Sequence, residues 1–115
     1  MKDWKLPLGI FCSLSSVGPK ITTRCIENGL RIPEDVAVIS SGNDLSYCEG
    51  FYPSISSVDI NYFTIGYEAA KALHLKLKGE EVDQKVTLIQ PSGCVSREST
   101  DSYAVNDKDL QNALR

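Results

Sequence analysis

The 115-residue sequence lacks the features of several classes of protein. No apolar run approaches the roughly 20 residues needed to cross a bilayer. The opening string MKDWKLPLGIF has neither the long apolar run nor the small-residue cleavage site of a signal peptide. The net charge is −3, whereas phosphate binding needs clustered Lys and Arg. We therefore predict a cytoplasmic protein with no membrane contact, in which any contact with DNA lies outside these residues.

The sequence also lacks the motifs of enzymes and metal sites. His74 is the single histidine and is predicted to be a solvated surface residue, so no histidine pair can hold a metal. No GxSxG elbow and no Gly-rich phosphate loop is present. The cysteines form no CxxC pair and are predicted to be buried or neutral thiols: Cys12, Cys25, Cys48 and Cys94. We expect no enzyme, no metal and no cofactor.

What the sequence does contain is an alternation of strand and helix patterns. Short apolar runs predict strands at 6–12, 36–39, 54–60 and 86–90, and a further short extended segment at 94–96. A helix is predicted at 19–28 and a longer one at 62–78. The apolar residues of the longer helix recur every four positions: Ile65, Ala69, Leu73 and Leu77. This alternation predicts an α/β fold with a mainly parallel sheet and flanking helices, and ligands are expected at the carboxyl ends of its strands.

The polar loop at 40–53 follows a predicted strand, and function is expected there. Asn43 and Asp44 have two interpretations: they form turns, since both tolerate left-handed backbone and bond neighbouring amides, or they contact a ligand. Ser15 follows the first predicted strand. It could cap the helix that begins near Gly18 or contact the same ligand.

The last residues change in character. Residues 98–106 are polar and are predicted to be a linker. Leu110, Ala113 and Leu114 after Asp107 predict the first turns of a new helix. We therefore divide the chain into a domain at 1–97, a linker at 98–106 and the start of a further domain at 107–115.

Three strings of the sequence carry a resemblance to a known family. GIFCSLSSVGPKITTRCIENGLRIPEDVAVIS resembles the sensor domain of lactose- and purine-repressor proteins, which has the periplasmic-binding-protein fold. SISSVDINYFTIGYEAAKALHLKLKGE resembles the same family's Ser- or Thr-rich strand followed by a Gly-x-x-Ala helix. SREST followed by DSYAVNDKDLQNALR resembles the junction in xylose-operon regulators, where such a sensor is fused to an AraC-type DNA-binding domain.

The resemblance implies the C-terminal part of a two-lobed, type I sensor that closes on a sugar, with xylose as the first candidate. DNA would be bound through a domain beyond Arg115. The segment at 54–60 would cross from one lobe to the other, and the segment at 86–90 would cross back. The rest of each lobe would precede Met1, so we expect exposed apolar edges and self-association, most simply as a homodimer.

The sequence departs from the family at positions that typically contact the sugar. Family members usually carry Asn-Asp where this sequence has Leu14-Ser15, and Asp where it has Gly42. Asn43 and Asp44 match the family's Asn-Asp or Asn-Glu pair. The resemblance thus implies a sugar site that includes Asn43, Asp44 and Ser15, or a sensor that has changed or lost its ligand.

Two alternatives of other classes remain at this point. One is an exported solute-binding protein, which shares the fold. The other is a sugar-converting enzyme, which would need a catalytic group of residues that the sequence does not offer.

Overall fold

A computed structural model describes residues 3–82 and 86–101. One sheet contains four strands in the order β1-β2-β3-β4: β1 (Leu8–Cys12), β2 (Val36–Ser41), β3 (Ser56–Asp59) and β4 (Gly93–Val95). β1 and β2 pair in parallel, as do β2 and β3, while β4 runs antiparallel to β3. The predicted α/β fold with a mainly parallel sheet is confirmed.

Three helices accompany the sheet: α1 (Gly18–Glu27), α2 (Leu45–Cys48) and α3 (Tyr62–Leu77). Pro19 lies in the first turn of α1, where its missing N–H costs nothing. Gly29, with φ of 76°, follows the end of α1. The sequence predicted α1 and α3 but not α2, whose four residues are too few to show a helical period.

The core lies between α1 and the first two strands. Its centre is formed by buried residues, with partly buried apolar side chains around them: Cys12, Cys25, Val36 and Val38, then Ile10, Val17, Ile21, Leu30 and Ile32. Burial raises the pKa of the Cys12 and Cys25 thiols, which favours their neutral form. Cys48 is also buried, whereas Cys94 is exposed, so the prediction of buried thiols holds for three of the four cysteines.

The apolar stripe of α3 does not face a core. No residue of α3 is buried, and Leu73 and Leu77 are 60% and 79% exposed. The helix itself was predicted correctly. Helical periodicity reports which face of a helix is apolar, but not whether another element covers that face. His74 on the same helix is exposed, as predicted. Within the part of the chain that the structure describes, no helix is long and apolar enough to cross a membrane.

The predicted strand at 86–90 is wrong. Residues 86–90 form no strand, and Val86 and Leu88 are 85% and 87% exposed. The antiparallel partner of β3 is found slightly later, with Ser57 opposite Val95, which agrees with the extended segment predicted at 94–96. An apolar β-branched pattern predicts extended backbone, but a strand also needs a neighbour with which to form hydrogen bonds.

Gly18 and Gly66 offer a matched test of the packing of α1. A Cβ added at Gly18 would lie 2.9 Å from Cγ2 of the buried Ile55, whereas one added at Gly66 in α3 would meet open space. We expect Gly18→Ala to lower the free energy of unfolding by about 1–3 kcal/mol through overpacking. Gly66→Ala should raise it by about 0.5–1 kcal/mol, because Ala favours helix. Urea unfolding measures both, and equal responses at the two positions would contradict this packing.

Candidate ligand-binding site

The carboxyl ends of β1 and β2 bring the three predicted site residues together. Ser15 begins a 3-10 turn after β1, while Asn43 and Asp44 follow β2. The Ser15 Oγ donates to the carbonyl of Ser41 at 3.0 Å and accepts from the backbone N–H of Asp44 at 3.2 Å. Neighbouring parallel strands therefore place these residues at one edge of the sheet, where ligands are expected in such folds.

Ser15 links two loops and does not cap a helix. Its side chain is buried, and its hydroxyl uses its one donor and an acceptor position on Ser41 and Asp44. The N-cap of α1 is Val17, and no side chain bonds to that helix end. The capping interpretation of Ser15 is therefore wrong; its contact with a ligand stays a prediction.

Asp44 begins α2. Its Oδ1 accepts from the backbone N–H of Ser46 at 3.0 Å, as an N-cap residue does. The turn-forming interpretation is thus confirmed for Asp44. The residue is nevertheless exposed, so its carboxylate retains acceptor positions that face solvent.

Asn43 also has a structural role. It adopts a φ of 54°, in the left-handed region that Asn tolerates better than most residues. Its Oδ1 accepts two hydrogen bonds at 2.9 Å, one from the Ser57 Oγ of β3 and one from Nη2 of Arg97. The side chain is therefore held against β3.

Arg97 also contacts the candidate site, although no sequence pattern indicated it. Its side chain is only 9% exposed. Nη1 donates to the carbonyl of Ile55 at 3.1 Å and to the Ser57 Oγ at 3.0 Å, while Nη2 reaches Asn43 and the Glu49 carboxylate, the latter at 3.1 Å. No local pattern could have indicated that Arg97 folds back across more than fifty residues onto the loop after β2.

Glu98 and Ser99, which follow Arg97, are both hydrogen-bonded to the sheet or to the residues that lead into it. The Glu98 carboxylate accepts from the backbone N–H and the Oγ of Ser54, which lowers its pKa. Ser99 is fully buried between the starts of β2 and β3. Polar residues from 98 onward predicted a linker, but here Glu98 and Ser99 form hydrogen bonds with backbone groups. Residues 102–106 of the predicted linker lie outside the described residues.

The departure from the family at Gly42 has a local explanation. Gly42 has a φ of 119°, and an added Cβ would lie 2.7 Å from the Ser15 Oγ and 3.2 Å from the Tyr62 hydroxyl. An Asp at this position would therefore need both neighbours to move. Leu14, the other departure, is 57% exposed.

The described residues contain no group of three or more His, Cys, Asp and Glu side chains that could hold a metal ion. The polar side chains at this edge of the sheet are donors and acceptors of hydrogen bonds. Asn43 can offer amide hydrogens and Asp44 carboxylate oxygens, which suits a ligand rich in hydroxyl groups.

Comparison with known proteins gives consistent results. The family model of the periplasmic binding protein-like domain matches residues 1–100. The NTD biosynthesis operon regulator NtdR of Bacillus subtilis is 31% identical over 101 residues, which is 87% of this chain and 30% of the relative. The xylose operon regulatory protein of Haemophilus influenzae is 32% identical over 101 residues, or 86% of this chain and 26% of the relative.

Among solved structures, that of the xylose-binding transcription activator xylR superposes with a TM-score of 0.81 at 26% identity, covering 98% of this chain and 30% of that one. The chain therefore spans less than a third of the length of these relatives.

Gly42→Ala tests the crowding at the candidate site. We expect it to lower the free energy of unfolding by about 1–3 kcal/mol, because a non-glycine residue is strained at this φ and its Cβ would crowd Ser15. Gly9→Ala is the control, since a Cβ added at Gly9 in β1 meets open space, and we expect a change within about 0.5 kcal/mol. Thermal unfolding compares the two. A Gly42 variant as stable as the Gly9 variant would show that this loop is not confined as described.

Proposed function

The chain belongs to the periplasmic binding protein-like domain family, and we propose that it is the C-terminal part of the sugar-sensing domain of a transcription regulator. One observation carries the proposal: Ser15, Asn43 and Asp44 meet at the carboxyl edge of a parallel sheet. Two of the similar proteins named above are operon regulators and the third is a transcription activator, and xylose is named for two of the three. We propose a sugar, and xylose first, as the ligand of this protein.

Sensing by such a domain is a shift between populations. A sugar that contacts both lobes binds the closed form more tightly, and only this difference in affinity can move the equilibrium. In the proposed site Asn43 donates from its amide and Asp44 accepts from sugar hydroxyls. Ser15 positions the Asp44 backbone through the 3.2 Å hydrogen bond to its N–H.

The other classes of function are less well supported. An exported solute-binding protein would share the fold, but the relatives named above are transcription regulators. The same relatives give no support to a sugar-converting enzyme. A regulator that binds DNA acts in the bacterial cytoplasm, and we propose that location.

We further propose that DNA is bound by an AraC-type domain beyond Arg115. The resemblance at the end of the sequence is its only support, since the family match ends at residue 100 and 107–115 lie outside the described residues. Nothing in the match favours the AraC arrangement over that of the lactose repressor, which carries its DNA-binding domain at the other end. The coding sequence on either side of these residues distinguishes the two arrangements.

A thermal unfolding series tests the sugar site. For the full-length protein, we expect D-xylose at millimolar concentration to raise the unfolding temperature, because a ligand of the native state stabilises it. Asp44→Asn should weaken binding by about tenfold through loss of charge-assisted hydrogen bonds. It should leave the ligand-free protein as stable as before, because Asn caps a helix as well as Asp does.

Glu27→Gln is the matched control for that series. It makes the same change of acid to amide on the exposed face of α1, where Glu27 pairs with Arg24 at 3.1 Å. We expect it to bind as the unchanged protein does. Absence of any shift with a panel of pentoses and hexoses would contradict the sugar-sensing proposal.

Self-association is a second expectation. β1 lies at the edge of the described sheet, and the apolar stripe of α3 is exposed, so a second copy could cover apolar area that one copy leaves in water. We propose a two-fold dimer. Light scattering on the 115-residue chain should give twice the mass of one chain, and the mass of a single chain at high concentration would contradict this.

A further inference from the structure

We propose that Arg97 is a positioning residue for ligand recognition, which holds the Asn43 oxygen against the sheet so that the Asn43 amide nitrogen faces the ligand. This inference rests on the proposed function, because it concerns the same site. It adds to the proposed site a residue that lies more than fifty positions along the chain from the loop after β2, to which it is hydrogen-bonded.

The chemistry of its neighbours determines the orientation of the Asn43 amide. A guanidinium can only donate hydrogen bonds, and Arg97 Nη2 lies 2.9 Å from Asn43. The Ser57 hydroxyl already accepts from Arg97 Nη1 at 3.0 Å, so its own hydrogen is free for Asn43, 2.9 Å away. Both neighbours thus present hydrogens to one atom of Asn43, which must be the oxygen.

The nitrogen of the same planar amide is left with its two hydrogens. No hydrogen bond to Asn43 Nδ2 is found within residues 3–82 and 86–101. A donor held in one orientation before binding saves the entropy that a free side chain would lose. Asn43 is therefore prepared to donate to a hydroxyl oxygen, while the adjacent Asp44 can accept from one.

The backbone of Asn43 is fixed on both sides. The N–H of Gly42 donates to the carbonyl of Val58 at 2.8 Å, and that of Asp44 donates to Ser15 at 3.2 Å. The side chain consequently leaves the loop from a fixed point, and Arg97 and Ser57 together select the face of the amide that it presents.

Arg97 is itself well anchored. Its backbone N–H donates to the Ser56 Oγ at 2.7 Å, and its guanidinium makes four hydrogen bonds through two nitrogens. Only the fork of Arg can reach partners on either side in this way. The single ammonium of Lys cannot span the carbonyl of Ile55 and the oxygen of Asn43 together.

Calorimetry on the full-length protein with D-xylose tests the proposal. We expect Arg97→Lys to weaken xylose binding by about tenfold. In an Asn43→Ala background the same substitution should change the dissociation constant less than about twofold, because the group that it positions is gone. It should lower the unfolding temperature in both backgrounds. Equal losses of affinity in the two backgrounds would mean that Arg97 acts only through general stability, and would overturn the proposal.

Asn43→Asp and Arg31→Lys complete the set of variants. Asn43→Asp keeps an acceptor for Arg97 and removes the donor, so it should retain the unfolding temperature and lose xylose affinity. Arg31→Lys alters a second hydrogen-bonded arginine, which pairs with Asp35 at 2.6 Å before the opposite end of β2. It should leave the affinity unchanged.

A measurement without ligand separates this proposal from the proposed function. In the nuclear magnetic resonance spectrum of the labelled protein, Arg97→Lys should move the two side-chain amide resonances of Asn43, and Arg31→Lys should not. Unmoved resonances would overturn the positioning role whether or not any sugar binds. Moved resonances in a protein that binds no sugar would support the positioning of Asn43 and contradict the sugar-sensing function alone.

Discussion

The structure depends on one constraint, which is that every buried backbone polar group needs a partner. β2 and β3 pair only from Ile39 and Ser56 onward, so the backbone groups just before that point face a gap. Ser99 fills it. Its carbonyl accepts from Val38 N–H at 3.0 Å, its Oγ donates to Val38 O at 2.6 Å, and the same Oγ accepts from Ser56 N–H at 2.8 Å. Without Ser99 the centre of the sheet would hold unpaired groups at a cost of several kcal/mol.

The same need for hydrogen-bond partners also positions the residues of the candidate site. Because Ser99 is seated between two strands, Arg97, two residues earlier, lies against β3 with its guanidinium bonded to Ser57 and Asn43. The loop after β2 is then tied to the segment after β1 through Ser15 and to the segment after β4 through Arg97. A site of three short polar side chains thus obtains its rigidity from residues that are distant in sequence.

Sequence patterns predicted the parts of the fold that depend on local periodicity. α1, α3 and the parallel strands β1, β2 and β3 follow from apolar spacing and from Pro and Gly at helix ends. The gathering of Ser15, Asn43 and Asp44 followed from the rule for carboxyl ends of parallel strands. The role of Ser15 as a link between loops could not be predicted in this way. A serine just before a helix is also typical of a helix cap, and only the partner of its hydroxyl distinguishes the two roles.

The remaining differences between prediction and structure all concern which other parts of the chain an element or side chain contacts. A local sequence pattern does not report this. The stripe of α3 and the segment at 86–90 were assigned correctly as apolar, but the first is exposed and the second has no neighbouring strand. Arg97 escaped notice because its contacts lie forty or more residues away along the chain.

The position of Ser99 also bears on how such domains are combined in evolution. The family match ends at residue 100, so Ser99, which closes the gap between β2 and β3, lies among the last matched residues of the domain. A recombination breakpoint after Thr100 would therefore retain both Ser99 and Arg97, whereas a breakpoint a few residues earlier would remove both the residue that fills the gap between β2 and β3 and the arginine that donates to Asn43.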